Sequence, residues 1–458
     1  MGKVTRWDHV VKRLRWGEDT LAIVILFVMT MLPFLASITR VLNISSIPAS
    51  QVLVQHCTLW IGFLGAVLAA RKNKLLALTR EPLFKKEEEF HFGKWIAKVT
   101  TFLVLVALSW GSWELVKIEI QYPIDIAPNI PRWFAQFIMP LGFGLMAVQV
   151  YSNSYVKPIH RITLIIIGLI FSISAIPEMI SDVLPAVSIG ILIIIIALLH
   201  GAPIFVGLGG AAILFFWADY TPISAIPAEA YRIVVSPTLP TIPLFTLAGY
   251  FLAESKASER LVNVFRELFG WIPGGTPVII VFLCGFFTAL TGGSGVTILA
   301  LGGLLLPLLL KEGYSRSFSL GLITVSGSLG LLFPPSLPAI IYGVTAGVSV
   351  KDVFIAGLLP GMLLVALMSG WAVYQGKKDR ISSTPFDFQN ALDVCWNTKW
   401  ELSLPILILL GVFGGFTTLV ETAALTVVYV FIVEVYIYKD ITLSNLPKIV
   451  IDCATLIG

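Results

Sequence analysis

Two interrupted apolar stretches hold the residues best suited to chemistry. In the first, Thr291-Gly292-Gly293-Ser294-Gly295-Val296-Thr297 separates the apolar runs 278–290 and 298–310. Neither run is long enough to cross a bilayer comfortably. In the second, the apolar run 318–333 carries Ser326, Gly327, Ser328 and Gly330 and then meets Pro334-Pro335-Ser336-Leu337-Pro338 before apolar character resumes through Tyr342. Proline lacks an amide hydrogen and stops a helix, so carbonyls near such a break lose their intrahelical donors. Freed carbonyls and Ser/Thr hydroxyls are hard oxygen ligands suited to a dehydrated alkali cation, while half-helix N-termini favour a substrate carboxylate. The pattern predicts a re-entrant hairpin over 277–311 followed by a discontinuous helix, together forming a small ion and anion site without formal charge. The candidate residues are Thr291, Gly292, Gly293, Ser294, Gly295 and Thr297 at the tip, and Ser326, Gly327, Ser328, Pro334, Pro335 and Ser336 at the break. Small residues in membrane helices also serve close packing, but two separate interruptions, flanked by pieces too short to span, favour the site.

These residues must be positioned by a membrane fold. Of 458 residues, 57% are hydrophobic and 13% charged, and the mean hydropathy is +0.90; this excludes a soluble globular or disordered chain. The net charge of +4 is too small and too dispersed for nucleic-acid binding. Cys57, Cys284, Cys395 and Cys453 lie far apart with no C-x-x-C pair, so they read as packing residues. Four apolar runs of spanning length come first, at 20–39, 51–70, 95–116 and 133–151. Lys3, Arg6, Lys12, Arg13 and Arg15 precede them, with no small-residue cleavage site after the first run, so that run is expected to be a retained anchor. Basic residues also crowd the second connection, from Arg71 to Lys94, and the Lys157 to Arg161 turn. The positive-inside rule assigns these segments and the N terminus to the cytoplasm.

A fifth run, 163–180, crosses outward, and Pro177 and Pro185 bracket a polar joint with Glu178, Ser181 and Asp182. Residues 186–217 would form a helix of about 48 Å, too long for one crossing, so Gly201-Ala202-Pro203 must break it. A Pro-rich connection over 220–243 and a short apolar run over 244–253 follow. Leu261, Val262, Phe265, Leu268 and Phe269 then form an apolar stripe opposite Glu259, Arg260, Asn263, Arg266 and Glu267, the pattern of a helix lying in the interface. Residues 376–399, with Lys377, Lys378, Arg380 and Lys399, read as a cytoplasmic loop or interfacial arm. Segments 191–217 and 404–429 share a layout of helix, Gly-containing break and Ala-rich helix, which reads as the start of a second structural repeat. Glu421 and Glu434 are intramembrane acids that leave helix-to-helix hydrogen bonding and ion or proton coupling both open. The expected architecture is an all-α polytopic membrane protein. It comprises a four-helix module over 1–160, a linker transmembrane helix over 161–185, an ion-transporter-type half over 186–400 with the hairpin and discontinuous helix, and the beginning of a second repeat over 401–458.

Gly292-Gly293-Ser294-Gly295 also fits the G-x-S-G pattern around the nucleophile of rhomboid-type intramembrane serine proteases. That chemistry requires a histidine within reach of Ser294, and His56 and His200 are the mid-span candidates. A protease using Ser294 is therefore one alternative function, and a non-transporting membrane scaffold is another.

Several longer motifs, however, resemble the tripartite ATP-independent periplasmic (TRAP) transporters, in the form that fuses a small, DctQ-like, and a large, DctM-like, membrane subunit. The large-subunit likeness covers about 187–458 and rests on IPLFTLAGYFLAES from Ile242, WIPGG from Trp271, TGGSGVTILALGG from Thr291, KEGY from Lys311, SGSLGLLFPPSLPAIIYG from Ser326, FIAGLLPG from Phe354 and GGFTTLVETAA from Gly414. The small-subunit likeness, over 19–151, rests on the four spans and WIGFLGAVLAAR from Trp60. The resemblance implies a sodium-coupled permease in the bacterial inner membrane that imports small organic acids by an elevator motion. It further implies a periplasmic solute-binding protein as partner, sodium as the only metal and coupling ion, no other cofactor and no catalytic residue. The tip and break residues named above would supply one sodium site and one wall of the substrate site. The sequence ends before the family's second hairpin and second broken helix. The large subunit is therefore expected to be truncated here, or completed by a second polypeptide.

Overall fold

A computed structural model describes residues 6–44, 47–79, 87–152, 183–272, 274–378 and 385–458. The chain is built almost wholly of helices. In order these are α1 (Arg6–Val41), α2 (Ser50–Arg71), α3 (Glu87–Gln121), α4 (Arg132–Gln136), α5 (Ile138–Ser152), α6 (Val183–Leu199), α7 (Ile204–Ala218), α8 (Ala225–Val234), α9 (Thr241–Glu254), α10 (Ala257–Phe269), α11 (Gly275–Thr291) and α12 (Ser294–Lys311). They continue as α13 (Arg316–Leu329), α14 (Leu337–Ala346), α15 (Val350–Lys378), α16 (Phe388–Asn397), α17 (Lys399–Phe413), α18 (Leu419–Ile432) and α19 (Leu446–Ile457). Two short antiparallel strands, β1 (Asp125–Ala127) and β2 (Ile130–Pro131), turn through Asn129 at φ 63°. Among the described residues six helices are long and apolar enough to cross a membrane, or seven if the bent pair Arg316–Leu332 and Leu337–Ala346 counts as one span. The protein is thus an all-α, multi-pass membrane protein. The predicted fifth span over 163–180, its Glu178–Asp182 joint, the Lys157 to Arg161 turn and Arg80, Lys85 and Lys86 of the second connection lie outside the described residues.

Contacts divide the chain into two compact units, one of Met1–Ala22, Thr58–Val235 and Ala454–Gly458, the other of Ile23–Cys57 and Ser236–Cys453. In the first, α3 is the central helix and packs on α5, α6, α7 and α8. Its core is apolar and small-residue rich: Leu105 meets Val67, Ala70, Met146 and Ala147, while Val104, Ala107 and Leu108 meet Val206 and Ile213. The predicted break at Gly201-Ala202-Pro203 is present between α6 and α7. Gly201 takes φ +94°, a conformation that costs an L-residue strain and glycine little. The polar groups freed there are satisfied by the chain after α2: Ile204 N–H donates to Leu76 O at 2.8 Å and Thr79 Oγ1 donates to Leu199 O at 3.0 Å. At the end of α2, Arg71 bridges Glu18 at 2.8 Å and Asp19 at 2.5 Å, both within α1.

The Pro-rich connection contains an unpredicted helix, α8. Pro227 falls in its first turn, where a missing amide hydrogen breaks no intrahelical bond, so proline content concealed a helix rather than preventing one. A second unpredicted helix, α19, occupies the segment after α18.

In the second unit α9 is buried along most of its length and packs on α11 and α18. The helix α11 is likewise buried nearly throughout, contacting α10, α12, α13 and α15. Phe265 and Phe269 of α10 stack with Phe282 of α11. The sequence placed α10 in the interface with its charged face solvated. Its apolar stripe is confirmed, with Leu261 and Val262 buried, but Arg260 is drawn into a carboxylate cluster instead of facing water.

Candidate functional site

The link between α11 and α12 is shorter than the sequence suggested. Thr291 is the last residue of α11, Ser294 is the first of α12, and only Gly292 and Gly293 lie between them. Gly292 ends α11 in the left-handed region at φ 68°, the usual glycine solution for a helix terminus. Residues 294–297 are therefore helical and not part of an extended loop. At the base of the pair, Thr276 Oγ1 donates to Glu312 Oε1 at 2.8 Å. Burial pushes the Glu312 carboxyl above its ordinary value, with the Thr276 hydrogen bond and the Arg266 charge pulling the other way.

The discontinuous helix is also present. The helix α13 tightens into a 3-10 turn over Gly330–Leu332, the chain breaks at 333–336 with a cis Pro334–Pro335 peptide, and α14 resumes at an angle of 42°. Ser336 is buried and caps α14: its hydroxyl accepts from Ala339 N at 3.4 Å and donates to Leu331 O. The Ser328 side chain is exposed and donates to Val325 O at 2.7 Å.

The tip and the break meet. Thr288, one turn before the tip, donates to Gly327 O at 2.8 Å and lies 2.8 Å from Thr297 Oγ1, which is 3.1 Å from Thr291 Oγ1. All three threonines are buried. Gly293 O accepts from Thr297 N at 3.2 Å. A Cβ on Gly292 would fall 2.0 Å from the Leu337 side chain, and one on Gly327 would fall 3.0 Å from Ile298, so glycine permits both approaches. Ser294 is half-buried at the start of α12, with its carbonyl near Gly327. Gly295 is exposed, Pro334 is half-buried and Pro335 is buried. Ser326 Oγ is fully buried without a hydrogen-bond partner among the described residues, an energetically costly condition unless a guest supplies the missing contact. Sequence reasoning missed Thr288. Its signal was the Thr288-x-x-Thr291 spacing, which places two hydroxyls on one helix face.

The two intramembrane glutamates are both held by arginines. Glu421 forms a two-pronged pair with Arg40, its Oε2 at 3.0 Å from Arg40 Nη1, and the same oxygen accepts from Thr418 N at 2.8 Å in a capping box. This pair borders a cavity of about 980 Å³ lined by Asn43, Gln51 and Thr238 among others. A smaller cavity of about 460 Å³ lies beside Gly347, Ser349 and Lys351. Glu434 pairs with Arg260 at 3.0 Å. Both glutamates thus make helix-to-helix bonds.

Residues 189–458 match the model of the tripartite ATP-independent periplasmic transporter, DctM component, and residues 29–157 match that of the DctQ component. The chain is 28% identical over 412 residues to the isethionate TRAP transporter permease protein DctMQ of Oleidesulfovibrio alaskensis, covering 88% of this chain and 65% of that protein. It is 30% identical over 283 residues to the C4-dicarboxylate TRAP transporter large permease protein DctM of Rhodobacter capsulatus, covering 58% of this chain and 64% of that one. It is 29% identical over 256 residues to the ectoine TRAP transporter large permease protein TeaC of Halomonas elongata, covering 55% and 60%. The chain therefore spans just under two thirds of the length of these relatives. All are transport proteins and not enzymes, which overturns the alternative of a protease using Ser294. His56 Nδ1 lies 2.8 Å from Val52 O and His200 Nδ1 lies 2.8 Å from Ile196 O.

Proposed function

The chain belongs to the tripartite ATP-independent periplasmic transporter family, DctM component, and on that premise we propose that it is the permease of a sodium-coupled importer of small organic acids, which receives its cargo from a periplasmic solute-binding protein. The observation that carries this reading is the contact between hairpin tip and broken helix, where Thr288, Thr291, Thr297 and the Gly327 carbonyl gather, and where Ser326, next to Gly327 in sequence, keeps a buried hydroxyl without a hydrogen-bond partner. An uncharged set of hydroxyl and carbonyl oxygens fits an alkali cation and does not fit a transition metal, which prefers nitrogen or sulfur donors. Among the described residues no cluster of His, Cys, Asp or Glu has the arrangement of a metal site. Thr291, Thr297, Ser326 and the backbone of Gly293 and Gly327 would hold sodium there, and Ser294 at the N-terminus of α12 would face an anionic substrate group. Relatives whose names specify isethionate, C4-dicarboxylates and ectoine support a small organic acid as cargo. The packing of α11 through α15 on one another supports their moving as one elevator body. The positive-inside bias supports a cytoplasmic N terminus in the inner membrane.

The test is uptake by proteoliposomes containing the protein and its solute-binding protein, with and without an inward sodium gradient. Uptake should require sodium, and Ser326→Ala should raise the half-saturating sodium concentration roughly five- to tenfold, the worth of one lost oxygen contact. Equal uptake in sodium and choline would remove the coupling claim.

A further inference from the structure

The helix α16 packs on the second unit by one face and leaves an apolar face uncovered. Asp387 Oδ1 caps its first turn, accepting from Gln389 N at 3.0 Å and Asn390 N at 3.3 Å, and the side chains that follow sort into three sectors. Ala391 is buried and Val394 and Cys395 are half-buried, the sector that meets the protein where α16 packs on α10. Gln389, Asn390, Asp393 and Asn397 form an exposed polar sector. Between the two lie Phe388, Leu392 and Trp396, at i, i+4 and i+8, which are 67%, 53% and 69% exposed. An amphipathic helix with water on one side and protein on another needs only two sectors; the third needs a non-aqueous surface.

The helix is fastened in this orientation. Tyr438 donates to the carbonyl of Asn397, its last residue, at 2.6 Å. Its neighbours on both sides are tied together by Arg260 of α10, which donates to Glu401 at the start of α17 through Nε, to Glu434 in the π turn that extends α18 through Nη2 at 3.0 Å, and to Asp440 through Nη1 at 2.6 Å. The adjoining helices place α16 at headgroup level. The spanning helix α15 carries an exposed stripe of Leu363, Leu367, Trp371 and Tyr374 that ends on Lys378, with Lys377 beside it. Aliphatic residues giving way to aromatic rings and then to lysine mark the point where a helix leaves a bilayer. After α16 only Thr398 intervenes before α17, whose Ile406 and Leu410 are again exposed. At that junction the Lys399 ammonium lies 4.0 Å from the Trp396 ring centroid and 5.6 Å from that of Trp400, which holds a cation at the edge of the apolar sector. Lys377, Lys378 and Lys399 are exposed, and among the described residues none of them forms a salt bridge.

We propose that α16 is an interfacial helix that docks on anionic phospholipid, with Phe388, Leu392 and Trp396 in the acyl boundary and Lys399, Lys377 and Lys378 pairing with headgroup phosphates. The apolar sector and the sign of the charge beside it select this occupant together. A second copy of the chain meeting the same patch face to face would bring its own lysines against these, whereas an anionic headgroup neutralises them.

The test uses the full chain in two measurements. Nitroxide labels at Leu392→Cys and Asp393→Cys, in a background carrying Cys57→Ala and Cys395→Ala with the buried Cys284 and Cys453 retained, are read by spin-resonance accessibility in bilayers. The Leu392 label should collide with oxygen, which concentrates among acyl chains, and be shielded from a water-soluble nickel chelate; the neighbouring Asp393 label should show the reverse. In detergent, the unfolding midpoint should rise on titration with phosphatidylglycerol and not with phosphatidylcholine, and Lys399→Gln should raise the half-maximal phosphatidylglycerol concentration about fivefold, with a further increase when Lys377→Gln and Lys378→Gln are added. Nickel-chelate access at both labels, spin–spin broadening of the Leu392 label by a second copy, an equal response to the two lipids, or a phosphatidylglycerol response unchanged in the lysine variants would each overturn the proposal. Neither readout requires transport, so the result stands independently of the importer reading.

Discussion

Arg260→Met is expected to lower stability by about 3–5 kcal/mol, the range for removing one partner of a buried ion pair. The loss comes less from the missing attraction than from what remains, since Glu401 and Glu434 would stay buried without the guanidinium they share. Arg260→Lys should recover only part of the loss, because an ammonium cannot reproduce three differently directed N–H donors. Combining Arg260→Met with Glu401→Gln and Glu434→Gln should recover more, since amides carry no charge to strand. Thermal unfolding in detergent measures all three. An Arg260→Met protein as stable as the parent would show that the cluster is solvated and not buried.

The second large effect is expected at Gly330, where the broken helix presses on α11. A Cβ there would lie 2.2 Å from Gly285 O, 2.5 Å from Ala289 N and 2.6 Å from Thr288 Cβ. Two of these are backbone atoms of a buried helix and cannot swing aside. Gly330→Ala should cost about 1–3 kcal/mol as overpacking and should pull Gly327 O away from Thr288, weakening sodium dependence along with stability. Gly321→Ala, in α13 itself, meets nothing within 4 Å and should be neutral or gain up to about 1 kcal/mol in helix propensity. Unfolding midpoints and sodium half-saturation for the two variants separate contact geometry from a general intolerance of alanine.

The breaks were legible in the sequence because Gly and Pro act locally. Gly201-Ala202-Pro203, Gly292-Gly293 and Pro334-Pro335 interrupt helices through missing donors or left-handed backbone, whatever surrounds them. The partners that hold the fold together were not legible. Arg40 and Glu421 are 381 positions apart, and Arg260 and Glu434 are 174 apart, so only the folded chain brings each pair together. The helical stripe of α10 correctly identified its buried residues, yet it assigned Arg260 to water because periodicity reports a face and not what packs on that face. Within the candidate site, Thr291, Gly292, Thr297, Ser326 and Gly327 were readable from composition. Thr288 was hidden in an apolar run, and the fate of the Ser328 and Ser336 hydroxyls depended on local capping that spacing does not specify.

The account rests on a cation held where the hairpin tip meets the broken helix, and sodium-dependent stabilisation of the purified chain tests it most directly. Unfolding midpoints should be followed as sodium replaces choline at constant ionic strength. A specific site predicts a saturable rise that follows ligand linkage and moves to higher sodium concentration in Ser326→Ala and Thr288→Val. Identical midpoints in the two salts, or a sodium-dependent rise that both variants retain in full, would contradict it.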